Sequence, residues 1–355
     1  MKYAKLTLRV FRMFLIDILL AGVIVLAYGL HHHGYAALQI YWEEWRSEDN
    51  PAESIPAPSE PVAQSKPAAT TLPIHTETGP ADTVVETIPD NRTDWQILYA
   101  EHFSDEIIIT PNSYKSPNIS VTLETITYGS GDEKVVYHVA DVYVASMECL
   151  KTYTAKNKME PNSNQFPLEM SIEAGAVFSV TGDYYTLHQS GFIVRNGYVY
   201  MNNSDKYDIC VLYDSGRVEV YDKYTYDSEE ILENGAVQVW NFGPSLLDEN
   251  GKAKESYDIR NGFKTDDPRT GLGYYAPGHY CFVVVDGRRE GYSAGMRIEE
   301  LAKIFEDLGC SIAYNLDGGG SAMMTINSKM YSRPCDGRRI GDIIYVAEPK
   351  NNGAD

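Results

Sequence analysis

The sequence predicts an α+β fold, in which a mixed β-sheet and a few helices form a single domain over residues 94–350. Short apolar runs with the two-residue alternation of β-strands recur along this region. Two pairs of these runs are joined by turn sequences typical of hairpins. Helical patterns are few, and the clearest one lies between two strand-like runs. These three observations together favour a sheet-rich domain over a helical bundle.

The strand signals begin soon after Trp95. Residues 106–110, 119–128 and 135–144 alternate apolar and polar side chains, as half-buried strands do. Two hairpins are predicted farther along, each from a turn of small or polar residues between apolar runs. The turns are Asn196-Gly197, between residues 192–194 and 198–200, and Asp214-Ser215-Gly216, between residues 210–213 and 218–220.

Residues 297–308 carry the strongest helical pattern. Apolar side chains recur there every three or four residues, and Gly309 ends the pattern. Strand-like runs at residues 281–285 and 312–315 flank this helix. The order strand, helix, strand therefore predicts a parallel crossover within the mixed sheet. Two shorter helical candidates are residues 166–174 and 228–233.

Residues 1–46 are predicted to form a cytoplasmic tail, a transmembrane helix and a juxtamembrane segment. Residues 13–30 are almost continuously apolar, and one bilayer crossing needs about 20 such residues. Basic residues precede this run and none follows it until Arg46, so the N-terminus is predicted to be cytoplasmic and the remainder extracellular. A cleaved signal peptide is the alternative, although no small-x-small cleavage sequence directly follows the run.

Residues 47–93 have the composition of a disordered linker. They are rich in Pro, Glu, Ser, Thr and Ala, contain few aromatic residues and show no sustained hydrophobic period. We expect this linker to hold the domain at residues 94–350 away from the bilayer.

Acidic residues outnumber basic ones. The chain has 50 Asp and Glu against 30 Lys and Arg, a formal net charge of -20. This charge repels nucleic acid and anionic surfaces, so neither is predicted as the main partner. A phosphate-bearing substrate would need a local cluster of Arg or Lys. The oligomeric state is not predicted by the sequence.

The five cysteines leave disulfide pairing open. They are widely spaced, with no Cys-x-x-Cys pair and no histidine at the spacing of a zinc site. Cys281 and Cys310 lie in apolar runs, so we predict that both act as small buried hydrophobic residues.

The densest set of motifs lies between Asp267 and Met324. In order, these are Asp-Pro-Arg-Thr-Gly-Leu-Gly, Val-Val-Val-Asp-Gly-Arg, Tyr-Ser-Ala-Gly-Met and Asn-Leu-Asp-Gly-Gly-Gly-Ser, which begin at residues 267, 283, 292 and 315. With Val-Thr-Gly-Asp-Tyr-Tyr from residue 180, they resemble the phosphodiester glycosidase family over about residues 165–347. The family usually has Asn before the upstream glycine, where this chain has Thr181.

The resemblance implies a hydrolase that cleaves the glycosidic C–O bond of a sugar-1-phosphodiester in cell-envelope or exopolysaccharide glycans. Such a reaction needs an acid or a cation at the departing phosphate and a carboxylate that activates water or attacks the sugar. Asp317, Asp286 and Asp183 each follow a predicted strand, and they are the predicted catalytic groups. For each one, a simple turn Asp beside Gly is the alternative.

The predicted substrate and phosphate ligands surround the same segment. Consecutive glycines let the backbone approach an oxyanion closely, although a plain tight turn is the alternative. Arginine binds phosphate through two parallel hydrogen bonds, which makes Arg269 and Arg288 the predicted phosphate ligands. The other predicted ligands are Gly318, Gly319, Gly320, Ser321, Thr181, Gly182 and Asn315.

No cofactor is predicted. The spacing of the aspartates requires no metal, but Asp183, Asp286 or Asp317 could hold a divalent cation, since hard cations prefer oxygen ligands. Two functions rival the glycosidase. One is a non-catalytic glycan-binding or envelope-assembly module, which the Thr181 departure favours. The other is a metal-dependent phosphodiesterase that cleaves the P–O bond.

Overall fold

The structure is a computed structural model that describes residues 92–187, 191–203, 207–223, 225–257 and 265–349. The predicted membrane anchor and the predicted linker up to residue 91 lie outside the described residues. Within the described ranges, no helix combines the length and the apolar character needed to cross a bilayer.

Strands dominate the described part of the chain, which also contains four α-helices. The helices are α1 (Asp94–Leu98), α2 (Pro167–Glu173), α3 (Ser228–Glu233) and α4 (Ile298–Asp307). The strands are β1 (Ile108–Thr110), β2 (Ser113–Lys115), β3 (Ile119–Tyr128), β4 (Val135–Val144), β5 (Leu150–Thr154), β6 (Phe178–Thr181), β7 (Phe192–Arg195), β8 (Tyr198–Asn202), β9 (Ile209–Tyr213), β10 (Val218–Tyr221), β11 (Ala236–Asn241), β12 (Arg269–Ala276), β13 (His279–Val285), β14 (Ile312–Leu316), β15 (Met324–Ile326), β16 (Lys329–Met330) and β17 (Asp342–Val346).

These strands form three sheets around a shared core. A seven-stranded sheet has the order β1-β2-β3-β4-β13-β12-β14, and two five-stranded sheets have the orders β10-β9-β11-β7-β8 and β16-β15-β6-β17-β5. One apolar cluster contains Phe282, Trp240 and Val180, which belong to the first, second and third sheet respectively. Burial of apolar surface therefore joins all three sheets into one domain.

Several predicted elements are confirmed. The strands β3 and β4 and the helix α3 have the predicted bounds, and α4 is one residue shorter at each end than predicted. Both predicted hairpins form, as β7 with β8 and β9 with β10. The first predicted strand is shorter than expected, because β1 begins only at Ile108.

The predicted parallel crossover is wrong in one respect, because β13 and β14 do not pair with each other. The prediction of a mixed sheet is wrong for the same reason. The strands β13 and β14 do run in the same direction, and α4 connects them. However, β12 lies between them and pairs antiparallel with both, so that Gly271 faces Val283 on one side and Asn315 on the other. The reason is that β12 and β13 form a tight hairpin. β12 therefore occupies the position beside β13, and β14 pairs with the other edge of β12.

Two glycines on β12 let α4 approach the sheet closely. A Cβ atom at Gly271 would lie 2.6 Å from Phe305 Cε2, and one at Gly273 would lie 2.8 Å from Phe305 Cδ1. Phe305 is fully buried in the apolar cluster between α4 and the seven-stranded sheet. The Gly-Leu-Gly sequence of β12 therefore fixes how near the helix can lie to the sheet.

Gly271→Ala is expected to lower the free energy of unfolding by about 1–3 kcal/mol, because the added methyl group overpacks the core against Phe305. Urea denaturation followed by circular dichroism measures this change. The double variant Gly271→Ala/Phe305→Leu should lose less than the sum of the two single changes, since they share one contact. A wild-type denaturation midpoint for Gly271→Ala would contradict this packing.

Candidate active site

The ends of β6 and β14 bring two of the predicted aspartates together. Asp317 directly follows β14, and its backbone N–H donates to the carbonyl of Gly182 at 3.1 Å. The next residue after Gly182 is Asp183. Gly182 in turn packs against Asp342, since a Cβ at Gly182 would lie 2.3 Å from Asp342 Oδ1. A glycine at position 182 thus allows three carboxyl-bearing segments to meet.

Asp317 is a buried carboxyl group with a raised pKa. Asp317 is 7% exposed. Burial raises the pKa of Asp317 to about 6, and the negative charge of Asp183 acts in the same direction. The Ser321 hydroxyl and the Arg338 guanidinium oppose this rise in pKa. At neutral pH Asp317 is therefore mostly a carboxylate, with about a tenth of the population in the acid form.

Arg195 neutralises two other buried carboxylates beside Asp317. Its Nη2 lies 2.7 Å from Asp183 Oδ1, and its Nε donates to Asp342 Oδ2 at 2.6 Å. All three side chains are at most 1% exposed. Burial raises the pKa of Asp342 to about 7, while Arg195 lowers it. We name these three residues the buried charge trio.

Protein donors surround Asp183 on both oxygens. Besides the contact with Arg195, Oδ1 accepts from the backbone N–H of Tyr185 at 2.8 Å, and Oδ2 accepts from that of Asn241 at 2.9 Å. The Asp183 carboxylate therefore holds the surrounding segments together, and its predicted catalytic role stays a prediction.

The glycine-rich segment after Asp317 folds into a short 3₁₀ turn, Gly319–Ser321. Gly319 has a positive φ of 59°, which favours glycine. Its N–H donates to the carbonyl of Pro268 at 2.8 Å, and the N–H of Ser321 donates to that of Gly318 at 3.1 Å. The prediction that this backbone forms an oxyanion cradle therefore meets a difficulty, because at least two of its amides are already bonded within the protein.

Two exposed arginines flank the 3₁₀ turn. A Cβ at Gly319 would lie 3.4 Å from Arg288 Nη2, and a Cβ at Gly320 would lie 3.5 Å from Arg338 Cδ. Arg288 Nε donates to Asp267 Oδ1 at 2.7 Å, which fixes the orientation of its side chain. These guanidinium groups supply local positive charge in a strongly acidic chain. Arg288 thus lies beside the glycine-rich turn, and its role as a phosphate ligand stays a prediction.

The structure places Arg269 differently from the prediction. Arg269 is 4% exposed, and its Nε and Nη2 donate to the carbonyls of Met296 and Thr265 at 2.9 and 2.7 Å. The cause is its position at the start of β12, an inner strand of the seven-stranded sheet. The buried guanidinium stabilises the segments that precede β12 and α4, rather than the exposed rim of the turn.

Asp286 follows β13 and has its own set of hydrogen-bond partners. Its Oδ2 contacts His138 Nε2 at 2.9 Å and accepts from Tyr292 Oη at 2.8 Å, while Oδ1 accepts from the N–H of Arg333. Because β13 pairs with β4, the end of β13 directs Asp286 towards His138 on β4. None of these contacts is with Asp317, although Gly287 and Gly318, the residues that follow the two aspartates, both pack against Pro268.

The two polar residues predicted as ligands on β6 and β14 support the backbone. The Thr181 hydroxyl donates to the carbonyl of Ser321, and Asn315 Nδ2 donates to the carbonyl of Gly243 at 2.7 Å. Both residues are buried. Thr181 thus ties β6 to the 3₁₀ turn, which gives the departure from the family pattern a structural function.

Comparison with known proteins assigns this arrangement to a family. The family model described as phosphodiester glycosidase matches residues 169–347, about half of the chain. The chain belongs to the phosphodiester glycosidase family. The matched residues include Asp183, Arg195, Arg288, Asp317 and Arg338, so the family region contains the whole candidate site.

Individual relatives are distant from this phosphodiester glycosidase. The chain is 22% identical over 240 residues to the SPbeta prophage-derived uncharacterized protein YomE of Bacillus subtilis, covering 61% of this chain and 37% of that protein. It is 26% identical over 129 residues to the N-acetylglucosamine-1-phosphodiester alpha-N-acetylglucosaminidase of Bos taurus, covering 34% of this chain and 24% of that enzyme. The chain therefore spans 37% of the length of the first relative and 24% of the length of the second.

A solved structure supports the fold. The zebrafish N-acetylglucosamine-1-phosphodiester alpha-N-acetylglucosaminidase catalytic domain, auto-inhibited by its pro-peptide, matches with a TM-score of 0.53 and 19% identity. The match covers 68% of this chain and 88% of that structure. The phosphodiester glycosidase domain described above therefore has the fold of that catalytic domain.

Sequence reasoning missed two members of the buried charge trio. Arg195 ends the apolar strand β7, and Asp342 begins the apolar strand β17. A charged residue next to a run of apolar residues in a buried strand is rarely left unpaired. This pattern could have predicted that Arg195 and Asp342 each have a partner of opposite charge.

Proposed function

We propose that this protein is a membrane-anchored, extracellular hydrolase that cleaves the glycosidic C–O bond of a sugar-1-phosphodiester. The observation that carries the proposal is Asp317, a buried carboxyl group with a pKa of about 6, next to a turn flanked by Arg288 and Arg338. Membership of the phosphodiester glycosidase family supports the reaction class. The bovine relative is named N-acetylglucosamine-1-phosphodiester alpha-N-acetylglucosaminidase, which agrees with this reaction.

In the proposed reaction, Arg288 and Arg338 bind the non-bridging oxygens of the phosphate. Asp317 donates its proton to the oxygen that joins the phosphate to the anomeric carbon. That C–O bond breaks, and a water oxygen forms the new bond to the anomeric carbon. The proton that this water loses passes to the solvent, from which Asp317 regains its acid form. The products are a free sugar and a phosphate monoester. The buried charge trio positions the segment carrying Asp317.

The proposed substrate is a phosphodiester-linked glycan of the cell envelope or an exopolysaccharide. An apolar run at residues 13–30, preceded by basic residues, supports an anchor with the domain outside the cell. The proposal uses no cofactor. Among the described residues, no group of three or more His, Cys, Asp or Glu side chains is arranged to hold a metal ion.

Hydrolysis of a sugar-1-phosphodiester in oxygen-18 water tests the proposal. Cleavage of the C–O bond places the heavy oxygen on the sugar, and mass spectrometry of both products detects it. Label on the phosphate would instead show P–O cleavage and a phosphodiesterase. Binding of the substrate without turnover would support a glycan-binding module. Either of these two results would overturn the proposed glycosidase.

Arg288→Ala is expected to lower kcat/KM by about 10- to 100-fold, because a charge-assisted hydrogen bond to phosphate contributes about 1.5–3 kcal/mol. Steady-state kinetics with the same phosphodiester measures the effect. Arg339→Ala is the control, since it also removes one exposed positive charge but lies over the Phe166 ring rather than beside the 3₁₀ turn. Equal losses for both variants would show that only net charge matters.

Arg269→Met should lower stability rather than substrate binding, unlike Arg288→Ala. Removing this buried donor leaves the Met296 and Thr265 carbonyls unsatisfied, which lowers the free energy of unfolding by about 1–3 kcal/mol. The remaining folded enzyme should retain the KM of the wild type. A large rise in KM without loss of stability would restore Arg269 as a phosphate ligand.

A further inference from the structure

Two cysteine thiols face each other inside the domain. Cys281 Sγ and Cys310 Sγ lie 3.4 Å apart, and both residues are at most 2% exposed. Cys281 lies in β13, and Cys310 lies between α4 and β14. The two residues are 29 positions apart in the sequence, so the fold itself brings them together.

The neighbouring strand is shaped to admit both sulfur atoms. Gly273 lies on β12 opposite Cys281, and a Cβ atom there would be 2.6 Å from Cys281 Sγ and 2.7 Å from Cys310 Sγ. Any larger residue at position 273 would force at least one sulfur atom away. Gly273 therefore allows the two sulfur atoms to lie close together. Two cysteines that acted only as buried hydrophobic residues would not need this close approach.

We propose that Cys281 and Cys310 form an intramolecular disulfide when the chain folds in the presence of a small-molecule disulfide such as glutathione disulfide. One thiolate attacks the small disulfide, releasing one reduced glutathione and forming a mixed disulfide. The second thiolate displaces the other glutathione, and the protein S–S bond forms. Two protein thiols are oxidised, and one glutathione disulfide is reduced to two glutathione molecules.

The exchange takes place during folding, because both sulfur atoms are inaccessible once α4 covers the sheet. Closure requires the sulfur atoms to move from 3.4 Å to a bond length of about 2.05 Å. The resulting bond fastens the end of α4 to β13. It thereby fixes the start of β14, the strand that leads to Asp317.

The test refolds the reduced full-length chain in detergent, with either a glutathione redox buffer or an excess of reductant. After thiols are blocked by alkylation, intact mass and peptide mapping report the bond. We expect the oxidised sample to lose the mass of two hydrogen atoms and to yield a linked peptide containing Cys281 and Cys310. Its Tm should rise on the order of 5–10 °C above that of the reduced sample.

Two variants separate this bond from the other cysteines. Cys281→Ala should abolish both the mass loss and the shift in Tm. Cys210→Ala, which changes another fully buried cysteine, should retain both. If Cys281→Ala fails to fold, the peptide map of the wild-type chain still decides. Five intact thiols after oxidative refolding, or a bond that involves Cys149, Cys210 or Cys335, would overturn the proposal.

Discussion

Asp317→Asn is expected to lower kcat by about 10²–10⁴-fold, because the amide cannot donate the proton that general acid catalysis supplies. The fold should be retained, since asparagine has nearly the same volume and its amide can still bond to Ser321. Burst and steady-state kinetics on a sugar-1-phosphodiester measure the loss, and circular dichroism checks the fold.

The pH dependence of the same reaction identifies the role of Asp317. The pKa of Asp317 lies at about 6, so its acid form decreases about tenfold per pH unit above that value. As a proton donor, Asp317 should therefore make kcat/KM fall as pH rises through 6. Asp317→Asn should lack this limb of the profile. A rate that instead rises through pH 6 would make Asp317 the base.

Asp336→Asn is the matched control. Asp336 is an exposed carboxyl group beside the same turn, with Oδ2 3.1 Å from the position of a Cβ at Gly320. Its removal changes the net charge as Asp317→Asn does, and kcat should remain within about twofold of the wild type. If both variants lost activity equally, the local field rather than proton transfer by Asp317 would explain the loss.

Arg195→Met is expected to lower the free energy of unfolding by about 3–5 kcal/mol at neutral pH, because removal of one partner leaves buried carboxylates without compensating charge. Asp183 and Asp342 would then face each other with no cation between them. Equilibrium denaturation in urea measures the change. The enzyme should also lose activity, since Asp183 no longer holds the segment that bonds to Asp317.

The penalty in Arg195→Met should depend on pH in a defined direction. The pKa of Asp342 is already raised by burial to about 7, and loss of Arg195 raises it further. When a carboxyl group has a raised pKa in the folded state, the folded protein loses stability as pH increases towards that pKa. The destabilisation should therefore be smaller at pH 5 than at pH 8.

Arg217→Met provides the comparison for Arg195→Met. Arg217 also pairs with a carboxylate, Glu219, but its side chain is 46% exposed. Removing an exposed pair changes the free energy of unfolding by at most about 1 kcal/mol. A loss for Arg195→Met that is no greater than that for Arg217→Met would show that the buried charge trio contributes little.

Local patterns predicted much of the fold. The alternating pattern in β3 and β4, the turn residues in the hairpins and the helical spacing in α4 depend on near neighbours in sequence. These elements therefore have almost the predicted bounds. The insertion of β12 between β13 and β14 depends on how distant strands pair, which no local pattern records. The mixed sheet was therefore the wrong conclusion from a correct order of elements.

The same distinction explains the candidate site. Asp183, Asp286 and Asp317 all follow strands, as predicted, yet only strand placement decides which of them meet. The end of β13 faces β4, whereas the ends of β6 and β14 come together. Arg269 and Arg288 likewise differ through burial, because one begins an inner strand and the other lies on an exposed turn.

The buried charge trio joins elements of two separate sheets. Arg195 belongs to the sheet that contains β7, while Asp342 lies in β17 and Asp183 follows β6, both in the other five-stranded sheet. Catalytic activity therefore depends on the packing of the two sheets against each other, and not only on the formation of their strands. Under mild denaturation, we expect a domain built this way to lose turnover before its far-ultraviolet circular dichroism changes.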